Sequence, residues 1–237
     1  MIITIAMAKG GVGKTATASI LAQAAAYSGR KCLAVDADSQ GNFTYTLDAE
    51  TGPGTYNIIT NRPAEIQHTA QNIDVLPASW DLATLTTKTG SARRLRTRLE
   101  RIRNDYDYII IDTPTAAGEL QLNGITAADM IVLPMDADAY NIIALRQILD
   151  IIERIRPDVP AGIVLTKFDG RAQHSRQLKE TIINQAAARG VSFYGQVRKC
   201  IAVQEAATLQ ESLFEYAPKC TAAADYMEIW HKIENSQ

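Results

Sequence analysis

The 237-residue chain has few of the residues that mark secreted, metal-binding or membrane-spanning proteins. Its three cysteines, Cys32, Cys200 and Cys220, are widely spaced and include no CxxC pair, which favours reduced thiols over a disulfide framework or a zinc site. Its three histidines are scattered and predict no metal or catalytic cluster. No apolar run approaches the roughly 20 residues that a helix needs to span a bilayer.

The chain also lacks a strong excess of charge of either sign. Its 24 lysines and arginines nearly balance its 26 aspartates and glutamates, for a formal net charge of −2, so binding to nucleic acid would need a local basic patch. No internal repeat or low-complexity linker divides it, and its length suits one α/β core, so we expect a single domain over residues 1–237. Because a predicted strand begins at once, we expect no signal peptide and a cytoplasmic protein.

A glycine-rich loop follows this first strand. Residues 8–15 read Ala-Lys-Gly-Gly-Val-Gly-Lys-Thr, between an apolar run at residues 2–7 and an alanine-rich helix predicted at residues 16–27. In that context backbone N–H groups and the helix N-terminus cradle phosphate, which a plain connecting turn would not require. Lys14 is expected to reach the β- and γ-phosphates, and the Thr15 hydroxyl to bind Mg²⁺. The predicted nucleotide-binding residues of the loop are Lys9, Gly10, Gly11, Val12, Gly13, Lys14 and Thr15.

Two further predicted strands end in aspartate. The strand at residues 31–36 ends at Asp36, with Asp38 two residues later, and the β-branched strand at residues 106–112 ends at Asp112. Ligands bind at the carboxyl edge of the sheet in doubly wound folds, so these carboxylates are expected beside the glycine loop. The strand at residues 106–112 is interpreted as a Walker B strand, whose aspartate holds Mg²⁺, commonly through water.

Strands and helices alternate through the rest of the chain. Apolar runs predict strands at residues 130–135 and 161–166, and helical patterns predict helices at residues 142–155 and 175–189. Several parallel strands joined by helices define the α/β class. We therefore predict a doubly wound, mostly parallel sheet flanked by helices, of the P-loop type.

Residues 43–104 are harder to interpret, apart from a short predicted strand at residues 73–77 and an arginine-rich stretch. Leu95, Leu99 and Ile102 mark an apolar side of that stretch. Such a pattern is typical of a solvated amphipathic helix, and a nucleic-acid surface is the alternative. The arginines are Arg93, Arg94, Arg96, Arg98, Arg101 and Arg103.

The phosphate loop carries a second lysine, Lys9, at its start. The string Lys-Gly-Gly-Val-Gly-Lys-Thr resembles the deviant Walker A motif of the ParA/MinD family of ATPases, and the string Asp-Ala-Asp-Ser-Gln-Gly-Asn from Asp36 is similar to the family's first switch region. The resemblance implies that Lys9 contacts nucleotide across a dimer interface, that Asp38 orients the attacking water and that Asp36 supports the magnesium and phosphate site. It makes Lys9, Lys14 and Asp38 the catalytic residues and Thr15, Asp36 and Asp112 the metal-binding residues.

Two interpretations of the nucleotide base remain open. The segment from Thr166 to Asp169 reads Thr-Lys-Phe-Asp, close to the Thr/Asn-Lys-x-Asp loop by which GTPases recognise guanine. It is also similar to the Thr-x-Tyr/Phe-Asp segment of the partition family, which implies no guanine preference. The whole-chain resemblance favours ATP, and Thr166 and Asp169 are predicted nucleotide-binding residues.

Residues 196–206 resemble the family's Ile-Pro-Arg-x-x-x-x-x-Glu-Ala segment near the nucleotide base. In partition ATPases, basic residues from this region form a patch for nonspecific DNA, which makes Arg198, Lys199 and Lys219 the DNA-binding candidates. The stretch at residues 214–219 is less basic than is usual in the family, and plain surface charge is the alternative.

Over nearly the whole chain, the resemblance is to a ParA/Soj-type partition ATPase without an N-terminal helix-turn-helix extension. It implies an ATP- and Mg²⁺-dependent sandwich homodimer that binds DNA nonspecifically on the nucleoid and leaves it when a ParB-like partner stimulates slow hydrolysis. The alternatives are a MinD-like membrane-associated positioning ATPase, a GTP-using switch, an iron–sulfur ATPase and a scaffold that only holds nucleotide. The tail at residues 226–234 is amphipathic but not basic, so it is expected to pack against the domain and not to bind a membrane.

Overall fold

The computed structural model describes residues 1–87, 92–116 and 118–236. Within these ranges the strands are β1 (Ile2–Ile5), β2 (Cys32–Asp36), β3 (Gln67–His68), β4 (Asp74–Leu76), β5 (Tyr108–Asp112), β6 (Met130–Met135), β7 (Ala161–Phe168) and β8 (Ser192–Arg198). They form one sheet in the order β3-β4-β2-β5-β1-β6-β7-β8, in which all neighbours are parallel except β3 and β4. The prediction of a mostly parallel sheet is confirmed, and the single-domain prediction stays a prediction.

Helices flank this sheet. The described α-helices are α1 (Lys14–Tyr27), α2 (Asn42–Thr46), α3 (Gly54–Ile59), α4 (Arg94–Leu99), α5 (Glu119–Ala127), α6 (Tyr140–Ile155), α7 (Gln173–Ala187), α8 (Ala202–Leu209), α9 (Leu213–Tyr216) and α10 (Thr221–Glu234). Two 3-10 helices span Trp80–Thr87 and Arg103–Asp105. In the part of the chain that the structure describes, no helix combines the length and apolarity needed to cross a membrane.

The central strands are buried on both faces, which explains why their sequences are continuous apolar runs. In β1, Ile3 and Ile5 belong to a core shared with α1 and α10, whereas Ile2 packs on the opposite side in a core shared with α4 and α5. Leu145 of α6 and Ile182 of α7 belong to a further core. Helices therefore cover both faces of the sheet, as a doubly wound fold requires.

The C-terminal helix α10 packs against the core. Its residues Tyr226, Ile229, Trp230 and Ile233 are buried. The ring of Trp230 meets that of Tyr108 at the start of β5 edge to face, with 4.6 Å between the ring centroids. The prediction that the amphipathic tail packs against the rest of the chain is confirmed.

The strand register brings the predicted site residues to one edge. β5 lies between β1 and β2, and Asp112 at its end is the register partner of both Ile5 and Asp36. The glycine loop leaves β1 at this edge and enters α1. Because the three strands are parallel, their carboxyl ends meet there.

The fold differs from the sequence-based expectation at several places, including β7, β8 and the arginine-rich stretch. β7 runs to Phe168, two residues beyond its predicted end. β8 at the sheet edge is not predicted, because its mixture of exposed and buried residues gives no continuous apolar run. The arginine-rich stretch is α-helical only over α4, where Leu95 and Leu99 are buried, and Ile102 lies beyond the helix and is partly exposed.

Candidate functional site

The glycine loop turns sharply before α1. Gly11 and Gly13 have φ of 74° and 87°, a region that residues with a Cβ atom rarely occupy. Gly13 directly precedes α1, and the Thr17 N–H donates to its carbonyl oxygen at 2.8 Å. No side chain caps this helix N-terminus, so the N–H groups of the first turn face the loop as donors for an anion.

The Lys14 ammonium lies buried inside this loop. Its Nζ donates to Thr115 Oγ1 at 2.7 Å and to the Lys9 carbonyl oxygen at 3.3 Å. Burial lowers the pKa of Lys14, while the nearby carboxylates of Asp112 and Asp38 oppose that shift. The structure thus places a cation at the centre of the loop, with a neutral hydroxyl and a carbonyl as its hydrogen-bond acceptors.

Thr15 and Asp112 form the second part of the site. Thr15 Oγ1 donates to Asp112 Oδ2 at 2.7 Å, and Asp112 Oδ1 is buried with no hydrogen-bond partner in the described part of the chain. Burial, together with the neighbouring Asp36, raises the pKa of Asp112 to about 8. A hydroxyl beside an unpartnered carboxylate oxygen is a donor set that fits a hard divalent cation or its water ligands.

Asp36 has a different environment from Asp112. Its Oδ1 accepts the N–H of Asp38 at 3.1 Å, and its Oδ2 accepts both the N–H and the Oγ1 hydroxyl of Thr44, at 2.8 and 2.7 Å. Burial raises the pKa of Asp36 to about 6, and the Thr44 donors oppose that shift. The Asp36 carboxylate therefore ties the loop after β2 to α2.

Asp38 is half-buried on this loop. Its Oδ1 accepts the N–H of Gln40 at 3.1 Å, and its carbonyl oxygen accepts the N–H of Gly41 at 3.0 Å. These bonds close a local turn that fixes the backbone position of Asp38. Because its charge acts on both Lys14 and Asp112, Asp38 belongs to the same electrostatic cluster.

Lys9 makes its side-chain contacts within its own chain. Its Nζ lies 3.6 Å from Asp138 Oδ2, in the connection between β6 and α6, and 6.0 Å from the centroid of the Tyr140 ring. The backbone of Lys9 is therefore part of the loop, and its ammonium points toward α6. Its predicted contact with a nucleotide across a dimer interface stays a prediction.

A cavity of about 360 Å³ opens beside the phosphate loop. Thr166 Oγ1 donates to the Val12 carbonyl oxygen at 2.8 Å, and Lys167 Nζ donates to the Gly11 carbonyl oxygen at 2.7 Å, so the end of β7 is fastened to the loop. The lining is mainly apolar and consists of Gly13, Ala16, Thr166, Lys167, Val197, Arg198, Lys199, Cys200, Ile201, Val203, Gln204 and Tyr226.

Asp169 differs from its predicted placement. It is not among the residues that line this cavity, and its Oδ1 accepts the backbone N–H and the Nε of Arg171 at 3.0 and 3.2 Å. These two bonds lower the pKa of the Asp169 carboxyl. The structure brings Thr166 to the cavity but pairs Asp169 with Arg171 outside it.

The DNA-binding candidates also differ from one another. Arg198 Nε and a terminal guanidinium nitrogen donate to the two Asp225 carboxylate oxygens at 2.9 and 2.6 Å, so its charge is balanced within the chain. Lys199 and Lys219 are exposed. The structure therefore leaves two of the three candidates available to a polyanion.

Two contact residues of the site escape sequence analysis. Thr115 accepts from Lys14, and Gln121 Nε2 donates to the carbonyl oxygens of Met7 and Pro114 at 3.4 and 3.2 Å. The Thr115–Lys14 and Gln121–Met7 contacts join segments about a hundred residues apart, whereas Pro114 is a near neighbour of Gln121 in the sequence. No motif in the sequence marks either residue.

Comparison with known proteins agrees with this geometry. A family model described as AAA domain matches residues 1–163. The chain is 31% identical to the sporulation initiation inhibitor protein Soj of Bacillus subtilis, covering 96% of each chain. It is 30% identical to the chromosome-partitioning ATPase Soj of Thermus thermophilus, covering 98% of this chain and 94% of the relative.

A solved structure gives the same fold. The crystal structure of cobyrinic acid a,c-diamide synthase from Mycobacterium smegmatis with bound ADP and magnesium matches with a TM-score of 0.81 and 25% identity, covering 99% of this chain and 94% of that one. The family match, the near-complete overlap with Soj and the glycine loop with its second lysine lead to one assignment. The chain belongs to the Soj/ParA family of deviant Walker A P-loop ATPases.

Proposed function

We propose that this chain binds and hydrolyses Mg²⁺-ATP and partitions plasmid or chromosomal DNA as a nucleotide-dependent homodimer. One observation carries the enzymatic part: an uncapped helix N-terminus, a buried lysine and a hydroxyl–carboxylate pair with one unpartnered oxygen meet in the loop after β1. The partitioning part is supported by the Thermus thermophilus relative, a chromosome-partitioning ATPase.

The phosphates of ATP would lie against the loop N–H groups and the Lys14 ammonium, which supply positive charge in a water-poor site. The base would enter the adjacent cavity, whose apolar walls include Val197 and Val203. ATP is favoured over GTP because guanine recognition needs a carboxylate at the base, whereas Asp169 does not line this cavity and its Oδ1 is paired with Arg171.

Thr15 and Asp112 would hold Mg²⁺, with the Asp112 Oδ1 atom as the available acceptor. When bound there, the cation would neutralise charge that develops on the β- and γ-phosphates. Asp36 would act indirectly, because its oxygens already accept three hydrogen bonds that set the position of the Asp38 loop.

Asp38 would place the attacking water in line with the γ-phosphate. Lys9 would leave Asp138 and reach the nucleotide of a second protomer, as an arginine finger reaches across a GTPase interface. Since the described residues of this cluster supply no strong general base for the water, slow turnover is expected until a ParB-like partner binds. Such a protein would act in the cytoplasm on the nucleoid.

The deciding experiment measures retention of the purified protein on double-stranded DNA with ADP, ATP or a non-hydrolysable ATP analogue, at several salt concentrations. We expect retention only with the triphosphates and a steep decrease with salt. Steady-state phosphate release with ATP and with GTP tests the base preference in the same preparation. Absence of DNA retention in every nucleotide state would contradict the partitioning function, and absence of Mg²⁺-dependent ATP turnover would contradict the enzymatic one.

A further inference from the structure

The arginine-rich stretch around α4 takes no part in the nucleotide site. Residues 92–103 contain six arginines and one glutamate, a net charge of +5 in a chain whose net charge is −2. A quarter of the chain's 24 basic residues thus lies in twelve consecutive positions. Such a concentration of one sign creates a local field that attracts polyanions.

Two of these arginines fasten α4 to the rest of the chain. Arg103 pairs with Glu100 at 3.0 Å and with Asp129 at 2.9 Å, and Arg96 donates to the Thr126 carbonyl oxygen at 3.3 Å. Glu100, the one acidic residue of the stretch, is engaged by these same arginines. Its charge is therefore not available to balance the others.

The remaining four arginines have no acidic partner among the residues that the structure describes, and the undescribed positions contain no aspartate or glutamate. Arg93, Arg94 and Arg101 are exposed. Arg98 is half-buried, and its Nε finds no acceptor in the described part of the chain. We call these four residues the α4 arginine surface; no acidic side chain among the described residues compensates its charge.

The spacing of this surface suits the backbone of a nucleic acid. Arg94 and Arg98 are one helical turn apart, about 6 Å along the helix axis. The Arg101 N–H donates to the Arg98 carbonyl oxygen at 3.2 Å, so the backbone continues to turn and presents a third guanidinium. Successive phosphates on one DNA strand advance about 3.4 Å along the duplex axis, so this separation matches about two steps.

The apolar side of α4 argues against a lipid surface. Leu95 and Leu99 are fully buried against α5, and no large exposed apolar side chain lies on α4. A membrane-binding helix would expose such residues for insertion between lipids. Charge without an exposed apolar face is the pattern expected of a surface that contacts phosphates in water.

We infer that the α4 arginine surface binds the phosphate backbone of double-stranded DNA. This inference rests on the proposed function, in which the nucleotide-bound dimer binds DNA, and it assigns that contact to a different face from Arg198, Lys199 and Lys219. Arg198 is already bidentate to Asp225, and the nearby α8–α9 region contributes Glu205, Glu211 and Glu215. Two copies of the surface in a dimer would add their contacts.

The test measures DNA affinity of the full chain with the non-hydrolysable ATP analogue between low and moderate salt. The variant is the triple change Arg93→Gln, Arg94→Gln and Arg101→Gln. We expect the slope of log affinity against log salt to fall by about 0.9 for each lost phosphate contact, and affinity at moderate salt to drop at least about tenfold. The charge-keeping triple change to Lys should retain the wild-type slope.

Two matched variants complete the experiment. Arg146→Gln, Arg176→Gln and Lys232→Gln together alter the net charge equally at exposed positions outside the α4 region, and Lys199→Gln with Lys219→Gln removes the exposed C-terminal candidates. A wild-type slope in the α4 glutamine variant, or an equal loss in the control outside the α4 region, would overturn the inference and leave the proposed function intact. No wild-type DNA binding would instead overturn the DNA-binding part of the proposed function itself.

Two further measurements test whether the variants fold and whether the surface binds lipid. If thermal denaturation shows the glutamine triple unfolded, the single changes Arg94→Gln and Arg101→Gln decide: a folded single variant whose salt slope falls by about 0.9 supports the inference, and wild-type slopes in both overturn it. Sedimentation with phosphatidylserine vesicles forms the other arm. Wild-type binding to vesicles that the α4 glutamine triple loses, while its DNA affinity is unchanged, would assign the surface to lipid and overturn the DNA contact.

Discussion

Asp112 combines full burial with an unsatisfied oxygen, an arrangement that costs stability unless a cation compensates it. Its Oδ2 accepts from Thr15, and its Oδ1 has no partner in the described part of the chain. Desolvation of an unpaired carboxylate is unfavourable by several kcal/mol in a protein interior. The unpartnered oxygen lies at the position where a bound metal–nucleotide complex would supply its missing partner.

We expect Asp112→Asn to fold at least as stably as the wild type without ligand and to lose the stabilisation that Mg²⁺-ATP gives. The amide keeps the shape but cannot ionise, whereas the Asp112 carboxyl, with its pKa raised to about 8, can lose its proton to bind Mg²⁺. A ligand at a hundred times its dissociation constant stabilises the wild type by about 2.7 kcal/mol. Thermal denaturation with and without Mg²⁺-ATP measures both effects. Thr15→Ser, which keeps a hydroxyl, is the control, and equal stabilisation of the Asn variant by Mg²⁺-ATP would contradict the assignment.

Sequence motifs predict only some of the residues and contacts of the site. Lys14, Thr15 and Asp112 could be predicted because a phosphate loop and a strand ending in aspartate are local patterns with a known geometry. Thr115 as the Lys14 acceptor, and Arg171 as the partner of Asp169, could not. Those contacts depend on which rotamers and which distant segments meet, and local patterns do not encode that.

Helix α5 lies close to the strands that carry the site. Thr4 Oγ1 of β1 donates to the Gly124 carbonyl oxygen at 2.7 Å. A Cβ atom on Gly124 would lie 2.5 Å from Thr113 Cγ2 and 3.1 Å from Thr4 Cγ2. The absence of a side chain here lets α5 approach the sheet directly behind Asp112.

We expect Gly124→Ala to lower the free energy of unfolding by about 1–3 kcal/mol, because the added methyl forces α5 away from the sheet. An exposed helix position would respond in the opposite sense, since alanine favours helix over glycine by about 1 kcal/mol. Urea denaturation measures the change. Gly118→Ala at the start of α5, where the nearest atom to a new Cβ is 4.0 Å away, is the control, and equal effects at both positions would refute the packing explanation.

Among the helices and strands, those that are long or buried on both faces could be predicted from the sequence, and short or partly exposed ones could not. β1, β5 and β6 are buried on both faces and were predicted from their apolar runs. β8 lies at the sheet edge with an irregular mixture of exposed and buried residues, and α2 and α3 are short, so their sequences carry little periodic signal. Their places come from tertiary contacts rather than from local preference.

For the whole molecule, the position of Lys9 bears on assembly. In a single protomer its ammonium lies against Asp138 and the Tyr140 ring, and a homodimer of the proposed kind would require it to leave both. A half-exposed ion pair contributes about 0–1 kcal/mol, so this contact opposes assembly weakly and reversibly.

We expect Asp138→Asn to tighten ATP-dependent dimerisation by about two- to fivefold per protomer, because it removes an attraction present only in the monomer. Analytical ultracentrifugation with the non-hydrolysable analogue measures the equilibrium. In a Lys9→Gln background the Asp138→Asn change should have no further effect, since the pair is already broken. Weaker dimerisation of the single variant would show that Asp138 supports the dimer and would contradict the prediction.

The order of the strands has a consequence for engineering. Asp36 and Asp112 are register partners on adjacent strands, so the distance between their backbones is the inter-strand spacing of about 4.8 Å. No loop sets that distance. The loops that follow β2 and β5 could therefore be lengthened or transplanted while the two carboxylates keep their separation, but a slip of the strands by one residue would destroy it.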